Sequence, residues 1–121
     1  TPVLERLRWV RDNTFSRPDT IAVNLRIVDR SQLKFSDVDR DGLIDIVVNS
    51  ADDGAIGWLR ASRLSFDAFR RLCSVPARSH FAVADLNGDS IPDLAVTLSD
   101  SGVLRIYDGK SLIRKSLENI R

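Results

Sequence analysis

The chain has 121 residues and a formal net charge of +1, with 43% hydrophobic and 29% charged residues, as expected for one small globular domain with its own core. It holds no run of 18 apolar residues and no basic segment followed by an apolar one at its start. The sequence therefore predicts no membrane span and shows no signal peptide.

Residues 1–30 contain two apolar runs, Val3–Val10 and Ile21–Val28, separated by a polar segment at residues 13–19. Apolar and polar residues alternate in the second run, which is the pattern of a half-buried strand. We therefore predict two strands. Trp9 matches Trp58 later in the chain, so these strands are expected to be the outer pair of an incomplete unit.

From Ser31 onward the chain repeats itself at an offset of 48 residues, without insertion up to the pair Arg60/Asp108. Such a period indicates a repeat architecture, with units at residues 31–78 and 79–121. Turn residues between short apolar runs predict a four-stranded meander in each unit. The predicted strands are Leu33–Ser36, Ile46–Asn49, Ala55–Leu59 and Phe69–Val75, then Phe81–Ala84, Leu94–Leu98, Val103–Tyr107 and Leu112–Ile120. A short helix over residues 111–121 is the alternative to the last strand.

Each unit carries an acidic loop between its first two strands. Oxygen-bearing side chains occupy positions 1, 3, 5 and 9 of both loops, as Asp37, Asp39, Asp41 and Asp45, and as Asp85, Asn87, Asp89 and Asp93. A hard cation such as Ca²⁺ takes six to eight oxygen ligands, with carbonyls and water completing the shell. The spacing therefore predicts about two Ca²⁺ ions per chain.

Two other interpretations of these loops are weaker. An EF-hand loop needs a carboxylate at position 12, where this chain has Val48 and Val96. The aspartates could also be turn formers and caps only. Matching oxygen positions in both copies favour metal ligands over turn formers.

The stretches Phe35–Val48 and Phe81–Tyr107 resemble the FG-GAP/VCBS repeat of integrin-α-like β-propellers. The resemblance implies an all-β fold, a partial β-propeller of about two and a half four-stranded antiparallel units. It also implies that the position-7 carbonyls of Leu43 and Ile91 join the calcium ligands. The Phe-Gly and Gly-Ala-Pro signatures are missing, which favours the VCBS-like branch.

The second loop departs from the first at two positions. Ser90 replaces the glycine at position 6, where a left-handed backbone would disfavour serine, and Asn87 replaces a carboxylate. Both changes predict a weaker second site.

The resemblance implies a non-catalytic calcium-binding module, in which Ca²⁺ is a structural staple, for adhesion or ligand binding outside the cell or at its surface. The partner would be a protein or a glycan. Self-association through open blade edges, or a longer parent chain, is a further expectation. One alternative is a lectin with a stacking surface formed by Trp9, Trp58 and Tyr107, and another is the scaffold domain of a secreted hydrolase or lyase.

No constellation typical of an enzyme stands out. The single cysteine, Cys73, lies in a strand-like run and excludes an intrachain disulfide. The single histidine, His80, precedes an apolar strand and has no activating pattern nearby. Aromatic residues do not interleave with a basic cluster, so nucleic-acid binding is not expected.

Overall fold

The computed structural model describes short strands within residues 3–23 and then residues 33–63, 65–76 and 78–118 with their side chains. Within these residues the protein is mostly β, with one helix at the end of the described chain. No helix in this part of the chain is long and apolar enough to cross a membrane.

The described residues of the N-terminal region contain four short strands, where the apolar runs predicted two. They are β1 (Val3–Arg6), β2 (Trp9–Val10), β3 (Thr14–Phe15) and β4 (Asp19–Val23). β1 pairs with β4 and β2 with β3, both antiparallel. β1 and β2 lie within the first predicted run, and β4 overlaps the second at residues 21–23, whereas β3 lies in the predicted separator. The remainder of the second predicted strand, residues 24–28, lies outside the described residues.

The first repeat unit is a complete antiparallel meander in the order β5-β6-β7-β8. Its strands are β5 (Leu33–Ser36), β6 (Asp45–Ser50), β7 (Ala55–Leu59) and β8 (Arg70–Ser74). All four predicted strands are confirmed to within one residue at each end. The two central strands are buried along their whole length, so this sheet is covered on both faces.

The second unit has three strands in the order β11-β10-β9. They are β9 (His80–Ala84), β10 (Asp93–Thr97) and β11 (Leu104–Tyr107), each within one residue of its prediction.

The predicted fourth strand, Leu112–Ile120, is wrong, because helix α1 (Gly109–Glu118) follows β11. Asp108 caps the helix, since its Oδ2 accepts hydrogen bonds from the Ser111 N–H at 3.3 Å and the Ser111 hydroxyl at 2.8 Å. Leu112, Ile113 and Leu117 then face the core together, as helical spacing allows. The helical alternative stated for this segment is the one that forms.

The core lies between the two sheets. One face of the first sheet, with Val47, Ile56 and Trp58, packs against Phe81, Leu94 and Val96 of the second, and Ile113 of α1 completes the cluster. These are stacked blades of a partial β-propeller, and the described strands form no closed barrel.

The repeat register identifies a surface that the second sheet leaves open. Leu104 and Ile106 correspond to Ile56 and Trp58, which are fully buried against the neighbouring sheet. In the second sheet these two side chains are 61% and 59% exposed. The face that the first blade uses for stacking is therefore uncovered in the second.

Candidate metal centre

Both acidic loops have the same backbone conformation. In the first loop Arg40 and Gly42 adopt φ values of 60° and 91°, and in the second Gly88 and Ser90 adopt 81° and 68°. Positions 4 and 6 are thus left-handed in each loop, and each loop has one glycine and one strained residue there. The expected strain at Ser90 exists, but Arg40 carries an equivalent strain in the first loop.

The aspartate at position 1 accepts hydrogen bonds from backbone N–H groups of its own loop. Asp37 accepts hydrogen bonds from the N–H groups of Asp41 at 3.1 Å and Gly42 at 2.9 Å. Asp85 accepts from Gly88 and Ser90, both at 2.9 Å. Backbone N–H groups, and not a basic side chain, therefore hold the first carboxylate inside each loop.

The aspartate at position 5 accepts a hydrogen bond from the N–H at position 7, from Leu43 at 3.0 Å in the first loop and from Ile91 at 2.9 Å in the second. In the first loop this bond is the main reason that the pKa of Asp41 lies below its ordinary value. The two position-7 residues therefore help to fix the loop, and metal ligation by their carbonyls stays a prediction.

The aspartate at position 9 ties each loop to the end of its third strand. Asp45 accepts hydrogen bonds from Val38 N–H at 3.1 Å and from Ala61 N–H at 2.7 Å. Asp93 does the same with Leu86 at 2.9 Å and Gly109 at 2.8 Å. Both aspartates are buried. A change at position 9 is therefore expected to affect three segments of a blade at once.

The carboxylates of each loop converge. One oxygen from each of the four aspartates Asp37, Asp39, Asp41 and Asp45 lies within 4.8 Å of the others. The same holds for Asp85, Asp89 and Asp93. Burial, assisted by the charges of Asp39 and Asp41, raises the pKa of Asp45 to about 6. Burial and the charge of Asp41 also raise the pKa of Asp39. A bound cation would offset this repulsion.

Asp39 has a buried carboxylate oxygen without a hydrogen-bond partner among the described residues. Its side chain is only 5% exposed. One carboxylate oxygen, Oδ2, accepts a hydrogen bond from Arg60 Nε at 2.7 Å, while Oδ1 is buried and has no hydrogen-bond partner among the described residues. Burying an unsatisfied carboxylate oxygen is costly, so the first loop fits a cation at this point.

The charge next to position 3 differs between the loops, and sequence reasoning missed this difference. Arg60 pairs with Asp39 in the first loop, whereas Asp108, at the equivalent place, accepts a hydrogen bond from Asn87 Nδ2 at 3.2 Å in the second. The first site thus has four carboxylates and a guanidinium, and the second has three carboxylates with that of Asp108 beside them. With these neighbours included, the second site is the more negative by one unit, and each loop has one strained residue, so neither charge nor strain favours the first site. The 48-residue offset pairs Arg60 with Asp108, and this pairing could have revealed the charge difference from the sequence.

Residues 37–96 match the family model of the FG-GAP-like repeat. This segment belongs to that family. The match begins at position 1 of the first loop, contains the second loop and ends in β10, so the FG-GAP-like repeat covers both candidate sites. No curated protein and no solved structure matches the chain.

Among the residues whose side chains are described, the others that the sequence singled out do not form a second site. Trp58 is fully buried and its Nε1 donates a hydrogen bond to Ser116 Oγ at 3.0 Å, so it cannot stack on a sugar. Cys73 is buried, and burial raises the pKa of its thiol. His80 is exposed at the start of β9. The side chain of Trp9 lies outside the described residues.

Ser90→Gly is expected to raise the free energy of unfolding by about 1 kcal/mol, because glycine adopts the left-handed backbone of position 6 without strain. The hydrogen bond from the N–H at position 90 to Asp85 is retained. Urea denaturation in the presence of a chelator measures the change apart from metal binding. Gly88→Ala, which adds strain at the matching left-handed position 4, is the control and should lower stability. Unchanged or lower stability in Ser90→Gly would contradict the strain argument.

Proposed function

We propose that this FG-GAP-like repeat protein binds one Ca²⁺ ion in each loop and acts as a non-catalytic module for adhesion or ligand binding outside the cell. The observation that carries the proposal is the buried, unpartnered Oδ1 of Asp39 at the meeting point of the first-loop carboxylates. The ligand set would be Asp37, Asp39, Asp41, Leu43 and Asp45, then Asp85, Asn87, Asp89, Ile91 and Asp93.

The chemistry of the clustered side chains supports calcium over other metals. Both clusters of described residues consist of carboxylates, without histidine or cysteine. Oxygen-only sites suit hard cations, whereas zinc and copper sites use nitrogen or sulfur ligands. A loop of nine residues with several anionic oxygens and room for carbonyls and water suits the larger, more flexible shell of Ca²⁺ better than the strict octahedron of Mg²⁺.

The ion would act as a staple and not as a catalyst. Asp45 and Asp93 each bridge the start of a loop and the second residue after the third strand. Cation binding at such a carboxylate would hold three segments of a blade in place. A role outside the cell follows from calcium supply, since millimolar Ca²⁺ there fills sites of modest affinity.

Isothermal titration calorimetry on chelator-treated protein tests the proposal. Two ions per chain are expected, with a dissociation constant at or below the millimolar range. Loading at 100 times the dissociation constant would add about 2.7 kcal/mol to the free energy of unfolding for each site. Magnesium at the same concentration is the control and should give a smaller stabilisation. No heat of binding and no rise in melting temperature at millimolar calcium would reject the proposal.

A further inference from the structure

A groove of about 380 Å³ runs between helix α1 and the first acidic loop, with Ile91 of the second loop at its side. Its floor is aliphatic, since Val38 and Ile113 are buried and Ile91 and Leu117 are half-buried. We call it the α1 groove. It lies beside the two acidic loops, and Asp39 and Ile91 belong both to its lining and to the proposed ligand set. The other residues of its lining are Asp39, Arg40, Lys110, Arg114 and Glu118.

The rim of the α1 groove is basic. Arg40, Lys110 and Arg114 all line it and are exposed. Of the two acidic residues in the lining, Asp39 is 5% exposed and paired with Arg60, and Glu118 lies at the described end of the helix. A ligand entering the groove would therefore meet three exposed cations and one exposed carboxylate, that of Glu118, above an aliphatic floor.

Several features of the rim residues are expected to lower the stability of the folded protein. Arg40 has a left-handed backbone, with φ of 60°. Lys110 lies in the first turn of α1, where the helix dipole disfavours a cation. Lys110 and Arg114 are a like-charge pair at i and i+4. Local rules are typically broken where a site needs the residues for another purpose.

We infer that the α1 groove binds an acidic segment of a protein partner that inserts one aliphatic side chain. Arginine guanidinium groups bind carboxylates with two parallel hydrogen bonds, which suits Arg40 and Arg114 at the rim. The aliphatic floor would take the inserted side chain. None of the nine lining residues is aromatic, so a sugar ring finds no stacking platform there. The inference rests on the proposed binding function and specifies the partner as an acidic protein segment.

The groove and the first loop share one wall. Val38, Asp39 and Arg40 are positions 2, 3 and 4 of the loop, and Val38 N–H is bonded to Asp45. An ion in the loop would hold residues 38–40 in place. Calcium and the acidic segment are therefore expected to strengthen each other's binding by the same factor.

The test uses a fluorescein-labelled octapeptide with one leucine flanked on each side by two acidic residues, and the same peptide with amides in place of the acids. Fluorescence anisotropy on the whole chain with calcium is expected to show binding of the acidic peptide at least about tenfold tighter than that of the amide peptide. Its affinity should fall as NaCl is raised, because the rim charges are exposed. Equal affinity for the two peptides would overturn the inference.

Two neighbouring residues of α1 provide a matched pair. Arg114→Glu reverses a rim charge and should weaken peptide binding by about tenfold or more. Lys115→Glu makes the same charge change on the side of α1 that lines the cleft with β8, and should leave binding within about twofold. Equal losses in both variants would overturn the groove as the binding site.

Arg40→Gly separates a binding role from a structural one. Glycine relieves the left-handed strain, so the melting temperature should rise by about 4 °C, while the lost guanidinium weakens peptide binding severalfold. Unchanged peptide affinity would overturn the role of Arg40 in the inference. Displacement of the peptide by a sulfated glycan at equal concentration would overturn the choice of partner.

Calcium calorimetry on Arg114→Glu distinguishes the two proposals. Two bound ions together with lost peptide binding support the groove. In the unsubstituted chain, two ions without any peptide binding would overturn the groove and leave the proposed calcium function standing. Peptide binding without calcium binding would overturn the calcium function alone.

Discussion

Asp45→Ala is expected to lower the free energy of unfolding by about 3 kcal/mol even without calcium, and to abolish binding in the first loop. Asp45 is fully buried and accepts two backbone hydrogen bonds, from Val38 and Ala61. Alanine leaves both N–H groups buried and unpaired, at about 1–3 kcal/mol each. Relief of the repulsion with Asp39 and Asp41 offsets part of this loss, since that repulsion helps to raise the pKa of Asp45 to about 6.

Asp41→Ala is the matched control, because it removes a carboxylate of the same loop that is exposed. Its loss without calcium should stay below about 1 kcal/mol, since one hydrogen bond to Leu43 at an exposed site contributes little. Urea denaturation of both variants, with calcium and with chelator, separates the two roles. Both variants should lose the calcium-dependent stabilisation that comes from the first loop and keep that of the second, but only Asp45→Ala should be less stable in chelator. Equal stability of the two in chelator would contradict the role assigned to position 9.

The strands and loops of the two blades could be predicted because their signals are local. Short apolar runs bounded by turn residues define β5 to β11, and the 48-residue offset places both acidic loops in the same context. The hydrogen bonds from position 9 to Ala61 and Gly109 could not be predicted, because each partner is 16 residues further along the chain.

Where the two units diverge, the repeat itself misled the prediction. The segment after β11 was assigned as a strand by analogy with the first unit, but Leu112, Ile113 and Leu117 have helical spacing and Asp108 provides a cap. The same Asp108 replaces Arg60 beside position 3 of the acidic loop. The change from arginine in the first unit to aspartate in the second therefore supplies the helix cap and also alters the charge of the second site.

The stacking of the two blades also indicates what could cover the exposed face of the second sheet. Leu104 and Ile106 occupy the positions through which the first blade packs on its neighbour. A further blade of a longer parent chain is the partner that the register favours for this face, because the first interface is an internal example of it. Self-association is the other expectation for such an uncovered apolar surface.

Gly109→Ala is the second change with a large expected effect, and helix propensity alone predicts the opposite sign. Alanine is favoured over glycine within a helix by about 1 kcal/mol. A β-carbon at position 109, however, would overlap the carbonyl oxygen of Pro92. That carbonyl belongs to the chain that leads into Asp93, whose Oδ1 accepts the Gly109 N–H at 2.8 Å. We expect a loss of about 3 kcal/mol or more, because overpacking against backbone cannot be relieved by a change of rotamer.

Gly102→Ala is the control for this prediction, since Gly102 has a φ of 70° and open space around it. Its loss should be about 1 kcal/mol, from backbone strain alone. Calorimetry should then show one bound calcium ion in Gly109→Ala, because the overlap displaces Asp93 while the first loop keeps its own anchor at Ala61. Two ions bound to Gly109→Ala with unchanged affinity would show that the second loop is independent of the start of α1. Wild-type stability of that variant would show that the close approach of Pro92 and Gly109 is not needed for the fold.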